Sequence, residues 1–185
     1  MRYRADGASA ELQSRFANTP LGVFDGSFEA TTNTAKGATA YHSVGISTRK
    51  TREISHSLDQ NGRVTAVSVK PNSQRTALSV LAAVPQSVVN PVTGFGQLVT
   101  GRSCPGPIKI YDGRRVAQIG LKSQSVQNGI LTCLMDYRVV AGPGHLSPFR
   151  FTAFNLTLTY DLAKAQQGPR QIALRTGLFE VVLRR

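Results

Sequence analysis

Apolar and polar positions alternate most clearly from Phe154 to Leu162. Phe154, Leu156, Leu158, Tyr160 and Leu162 fall on one side, and Asn155, Thr157, Thr159 and Asp161 on the other. A period of two separates these sets completely on a strand, whereas a helix would smear them around its circumference. The same alternation predicts strands over Tyr41 to Thr48 with Val44 and Ile46 inward, over Arg52 to Leu58 with Ile54 and Leu58 inward, and over Arg63 to Lys70 with Val67 and Val69 together. Ile108 to Tyr111, Val116 to Leu121 and Ile130 to Val140 follow, with Leu131, Cys133, Met135, Tyr137 and Val139 on a core-facing side. Asn61-Gly62, Asp112-Gly113 and Asn128-Gly129 punctuate these runs. Asn-Gly and Asp-Gly readily occupy the two positive-φ positions of a type I′ turn, so the middle and end of the chain read as successive antiparallel hairpins.

A helix is expected from Asn90 to Val99. Asn90 offers an N-cap side chain, and Pro91 at the first helical position loses nothing, because its missing N–H would be unpaired there. Gly94 and Gly96 weaken the interior, so this helix should be short. Thr76 to Val84 is too brief to type and is left as a loop or helical turn. Breaks holding Gly or Pro mark loops at Asn18 to Gly26, Pro71 to Arg75, Gly101 to Pro107, Gly142 to Pro148 and Gln166 to Arg170. None is long enough to link domains. The 185 residues are therefore expected to form a single domain that is mainly β, a strongly curved antiparallel sheet or open barrel with one short helix.

Composition agrees: 17 Gly, 9 Pro and no Trp favour turns over helical bundles. The formal charge of +12, with sixteen arginines against six lysines, attracts anions of any kind. The basic residues are dispersed at Arg49, Lys50, Arg52 and Arg63, at Arg114 and Arg115, and at Arg184 and Arg185, without the tract of about five to eight that marks a nucleic-acid tail. Interleaved aromatics would strengthen a nucleic-acid reading, and Tyr111 near Lys109 and Arg114 is a weak instance. No apolar stretch approaches a membrane span. Met1 to Arg15 lacks the apolar middle of an export leader.

Catalytic groupings are hard to find. His42, His56 and His145 form no metal-ligand pair, and the two cysteines form no Cys-x-x-Cys. His56, beside Ile54 and Leu58, reads as a partly buried structural histidine. Gly94-Phe-Gly96 and Gly142-Pro-Gly144 lack the third glycine of a dinucleotide loop, and Gly-x-Ser-x-Gly is absent. No cofactor and no metal is expected. Cys104 and Cys133 bracket the hairpin Ile108 to Arg115 and read as a staple, which belongs to oxidising compartments. Two buried free thiols, or a thiol nucleophile, are the alternatives. The apolar alternation around Cys133 disfavours the nucleophile, since burial raises a thiol pKa.

From Asn90 onward the chain resembles a bacterial envelope family of uncharacterised proteins, the domain of unknown function 3108. The residues that carry the resemblance are Val89 to Gly94, Cys104, Ile108-Lys-Ile-Tyr-Asp112-Gly113-Arg114-Arg115, Cys133 with Tyr137, Ala141-Gly142, Leu156 to Tyr160, Pro169 to Thr176 and Leu178 to Leu183. The family usually has Asp at the Asn90 position. Gly22 to Gly37 and Lys50 to Pro71 look similar to its earlier strands, and in this alignment Met1 falls inside the domain, after the family's first hairpin and export leader. The resemblance implies export to the periplasm, no assigned activity, and a sheet curved around a helix, akin to the open barrels of bacterial lipoprotein carriers. Phe154, Leu156, Leu158 and Tyr160 would then be candidate walls of an apolar cavity, or plain core. The expected function is a non-enzymatic periplasmic protein that binds a hydrophobic ligand such as a lipid, or another envelope protein. The alternative is a basic nucleic-acid-binding β domain in the cytoplasm.

Overall fold

A computed structural model describes residues 1–17, 25–47, 50–145, 151–164, 167–177 and 179–184. Parts of the expected loops at 18–26, 142–148 and 166–170, the strand end Thr48, and Arg49, Leu178 and Arg185 lie outside the described residues.

The architecture is mainly β and antiparallel throughout both sheets. β1 (Arg2–Asp6), β2 (Ser9–Phe16), β3 (Gly26–Ala35), β4 (Ala38–Ser47), β5 (Lys50–Leu58) and β6 (Val64–Lys70) form one six-stranded meander. β7 (Ile108–Tyr111), β8 (Val116–Gln127), β9 (Ile130–Ala141), β10 (Ala153–Asp161), β11 (Gln171–Thr176) and β12 (Phe179–Arg184) form a second. Among the described residues no ladder joins the two sheets, so there is no closed barrel. Between them run three short 3-10 turns, at Asn72–Gln74, Ala77–Ser79 and Leu81–Ala83, and the helix α1 (Pro91–Thr100). The last two occupy the stretch Thr76 to Val84 that periodicity left untyped, and the first lies in the expected loop Pro71 to Arg75.

Turn chemistry is more varied than the dipeptides imply. Asn128 and Gly129 both take positive φ, as a type I′ hairpin requires, and so do Lys36 and Gly37 between β3 and β4. At Asn61-Gly62 only the glycine does. There the Asp59 carboxylate accepts hydrogen bonds from the backbone N–H groups of Asn61 and Arg63, at 2.8 and 2.9 Å, and holds a wider loop. Asp112 plays the same part for Arg114 and Arg115, at 3.0 and 2.9 Å.

Register decides which face is buried. In β5, Ile54 and Leu58 point inward as expected, and in β6 Val67 and Val69 share the core-facing side. In β4 the expected facing is reversed: Tyr41 and Ser43 are buried, while Ile46 is 50 % exposed. The run supports either alternation, and its pairing resolves the choice. Tyr41 lies opposite Thr32 and His56, both buried, and a shift by one residue would turn every side chain over.

α1 packs into both sheets at once. Val92 joins Leu12, Ala30, Tyr41, Ile54 and Val69 of the first sheet, with Phe95 alongside. Leu98 joins Ile108, Ile119, Cys133, Met135, Leu156 and Leu158 of the second. Gly94 lets Ile110 approach, since a Cβ there would stand 2.7 Å from its Cδ1. The helix is capped as anticipated, Asn90 Oδ1 accepting from the Thr93 N–H at 2.9 Å. Asn90 is fully buried, and its amide also donates to Thr32 Oγ1 at 3.0 Å, tying the helix start to β3. Asn90→Ala therefore removes a cap and one of the two hydrogen bonds of the buried Thr32 hydroxyl, which still donates to the Ala40 carbonyl at 3.1 Å. It should cost about 2 kcal/mol by chemical denaturation, towards the upper end for caps. A loss below roughly 0.5 kcal/mol would show that neither contact matters.

Candidate functional site

Cys104, just past the end of α1, is bonded to Cys133 in β9, with a Cα–Cα distance of 5.6 Å. Both sulfurs are thus committed, and no free thiol is present to act as a nucleophile. Cys133 is fully buried in the core of the second sheet, so the covalent tie runs from the helix exit into a central strand.

The hairpin motif lies at the junction of the sheets. The Gly113 position faces β5, where a Cβ would fall 2.4 Å from Ile54 Cγ2. Its carbonyl accepts from Ser79 Oγ at 2.9 Å, and that of Arg114 accepts from Thr76 Oγ1 at 2.7 Å. Tyr111, fully buried, donates its hydroxyl to the Leu78 carbonyl at 2.6 Å. Tyr111 therefore offers no stacking face to a nucleobase, which removes the aromatic instance noted for nucleic acid.

Around this turn the chain gathers arginines. Arg115 is 5 % exposed, and its Nε lies 2.9 Å from Asp112 Oδ2 in an ion pair not aligned as a hydrogen bond. Arg52, on the inward face of β5, donates from Nη2 to Gln74 Oε1 at 2.7 Å. Arg114 Nε donates to the Gln74 carbonyl. Burial lowers the Arg114 pKa to about 10, with the Arg52 and Arg115 charges adding to the effect. Close by, the Tyr137 hydroxyl and His145 Nε2 share a 2.6 Å hydrogen bond. Burial, then Arg115, lowers the His145 pKa to about 4.

Phe154, Leu156, Leu158 and Tyr160 share one face of β10, opposite Tyr137, Met135, Cys133 and Leu131 of β9. Leu156, Leu158 and Tyr160 are buried in the packed cluster that includes Leu98, and Phe154 packs against its margin, edge-on to Tyr137 at 5.5 Å. The Tyr160 hydroxyl is buried with no hydrogen-bond partner among the described residues.

A separate trough of about 840 Å³ crosses the first sheet. Most of its lining belongs to two cross-strand rows on the outward face, Arg4, Glu11, Thr31, His42, Ser55, Ser68 and Asp6, Ser9, Asn33, Ala40, Ser57, Ala66. Within it His42 Nδ1 and Ser55 Oγ lie 3.1 Å apart. This contact has the spacing of a base and nucleophile, yet no carboxylate hydrogen-bonds to the imidazole among the described residues, and the surrounding strand is paired on both sides. It lacks the orienting group and the free backbone donors of a hydrolase site. No cluster of metal-ligating side chains occurs among the described residues.

No protein-family model, curated protein or solved structure matches this chain. Of the residues at the junction, Asp112 to Arg115 stood out in the sequence, whereas Arg52, Gln74 and His145 did not. They come from three separate segments, and the only available signal was an arginine beside Ile54 on a strand whose inward face was already assigned.

His56 is more deeply buried than a partly buried residue, at 2 % exposure, stacked on Tyr41 at a 4.6 Å centroid distance. Burial lowers its pKa to about 4, against smaller upward pulls from Asp112 and the Tyr111 backbone. An unfolded histidine binds its proton near pH 6.5, so between pH 6.5 and 4 the unfolded chain holds a proton that the folded one refuses. Stability should fall on acidification through that window, by about 1.4 kcal/mol per pH unit from His56. His56→Phe should remove this share of the slope in denaturation midpoints and leave that of His145, which is lowered over the same window, and an unchanged slope would exclude His56 as a source. Separately, Cys104→Ser opens a 29-residue loop and should cost roughly 3 to 4 kcal/mol. Wild-type protein unfolded in reductant should lose the same amount.

Proposed function

We propose that this protein is a non-enzymatic component of the bacterial periplasm that docks another envelope protein along β8. The Cys104–Cys133 bond carries the compartment part of this reading, because such links persist where glutathione and thioredoxin do not reach. The family resemblance, from Asn90 to the closing strands, points the same way. No helix is long and apolar enough to cross a membrane among the described residues.

Two ligand classes follow from the resemblance, and packing favours the protein. An acyl chain would need the space on the inner face of β10, which Leu98, Met135 and Cys133 fill. β8, by contrast, outruns its neighbour: β7 pairs only with Val116 to Ile119, so among the described residues Gly120 to Gln127 has β9 on one side and no strand on the other. Val126 is 60 % exposed and Leu121 41 %. An unpaired strand edge with apolar side chains is a template for strand addition.

Two measurements on protein in its native host test this. Thiol alkylation and mass spectrometry should find Cys104 and Cys133 joined, in protein released with the periplasmic fraction; reduced thiols in cytosolic protein would overturn the compartment. A photocrosslinking residue at Ser125 should form a discrete adduct with an envelope protein that one at Ser57, on the outer face of β5, does not. Equal capture at both positions would remove β8 as the docking edge.

A further inference from the structure

Positive charge converges where the sheets meet, and too little negative charge answers it. Arg52, Arg114 and Arg115 are electrostatically coupled to one another, and the acid coupled to them among the described residues is Asp112. That carboxylate is already engaged. Its Oδ1 accepts from the backbone N–H groups of Arg114 and Arg115, and its Oδ2 faces Arg115 Nε. Three guanidinium groups against one carboxylate leave two positive charges uncompensated.

The donors are unfilled as well. Arg115 Nη1 and Arg52 Nε are buried without a hydrogen-bond partner among the described residues, and Arg115 Nε meets Asp112 off axis. Buried polar groups are almost always paired, and a charged N–H left bare costs more than a neutral one. We propose that Arg52, Arg114 and Arg115 form a binding site for a phosphate-type dianion, either free phosphate or the phosphomonoester head of a lipid.

Guanidinium is planar and matches the oxygens of phosphate through paired donors, which an ammonium does not. A phosphomonoester carries about −1.5 to −2 near pH 7, close to the local excess, whereas one carboxylate would neutralise half of it. The frame is built before any anion arrives. Gln74 holds Arg52 through its side chain and Arg114 through its carbonyl, and Asp112 holds Arg115. Arg52 and Arg114 keep part of their surface exposed and Arg115 lies deeper, so an anion from solvent meets the first two on its way to the third. Arg52 is paired across the ladder with Gly45, which places no side chain beside it. The lowered Arg114 pKa has the cause expected of an unfilled site, burial together with the two like charges. The inference depends neither on compartment nor on the β8 edge.

The test is thermal unfolding of the whole chain in sodium phosphate against sodium chloride at equal ionic strength. A parallel arm measures sedimentation with phosphatidylcholine vesicles with and without phosphatidic acid. Phosphate should raise the midpoint by several degrees where chloride does not. Arg52→Gln should weaken the response at least about tenfold, the scale of one lost charge-assisted partner, and Lys109→Gln, an exposed cation of β7, should not. Arg52→Lys keeps the charge and loses the fork, and should also bind more weakly. Should Arg52→Gln fail to fold, the lysine variant carries the comparison. Sedimentation that requires phosphatidic acid and Arg52 assigns the group to a lipid head, while an Arg52-dependent response to phosphate alone assigns it to the free anion. Absence of both responses, or responses unchanged in the Arg52 variants, overturns the site.

Discussion

Two six-stranded sheets that no ladder joins among the described residues become one molecule largely through residues 71–107, aided by direct packing such as that of His56 on Tyr111. The Val88 N–H reaches the Gly62 carbonyl in the turn between β5 and β6 at 3.1 Å, while Val89 exchanges hydrogen bonds with Lys109 and Tyr111 on β7, both at 2.9 Å. Asn90 then caps α1 and binds Thr32, and the helix offers Val92 to one core and Leu98 to the other. Each contact is modest. Together they let a helix of only ten residues, marginal by itself in water, act as a shared hydrophobic layer for both sheets.

The same junction explains why so many polar groups are buried far from any catalytic constellation. A hairpin driven between two sheets carries backbone carbonyls that leave the ladder, and these must find donors. Ser79 and Thr76 supply them for Gly113 and Arg114, and Asp112 satisfies the N–H groups of the turn. The arginines lie in this low-dielectric neighbourhood beside Tyr41, His56, Tyr137 and His145, whose protonation equilibria all shift in the direction that keeps them neutral. Charge there resides on groups that cannot readily lose it. An anionic ligand would therefore complete the structure as much as decorate it.

Legibility in the sequence followed the strength of local patterning. β10 is as visible in the order Phe154, Leu156, Leu158, Tyr160 as in the fold, and α1 announces itself through Asn90 and Pro91. β1, β2 and β3 do not. Their inward rows mix Ala10, Ala30 and Thr32, small or polar residues, with Tyr3, Leu12 and Phe28, so no unbroken hydrophobic stripe marks them. The β3–β4 turn at Lys36-Gly37 has the geometry of an Asn-Gly turn without its usual first residue.

By itself the sequence determined the class of structure, the place and capping of the helix, the two cysteines in reach of one another, and the inward face of β5, β9 and β10, because each is written in residues close together along the chain. Tertiary structure alone decided that there are two sheets and not one, that Tyr41 and not Ile46 faces the core, and that Arg52 and Gln74 meet Arg114 and Arg115. Those outcomes depend on register and on segments far apart in sequence, where one residue of slip or a few ångströms of approach changes which groups share a low-dielectric space.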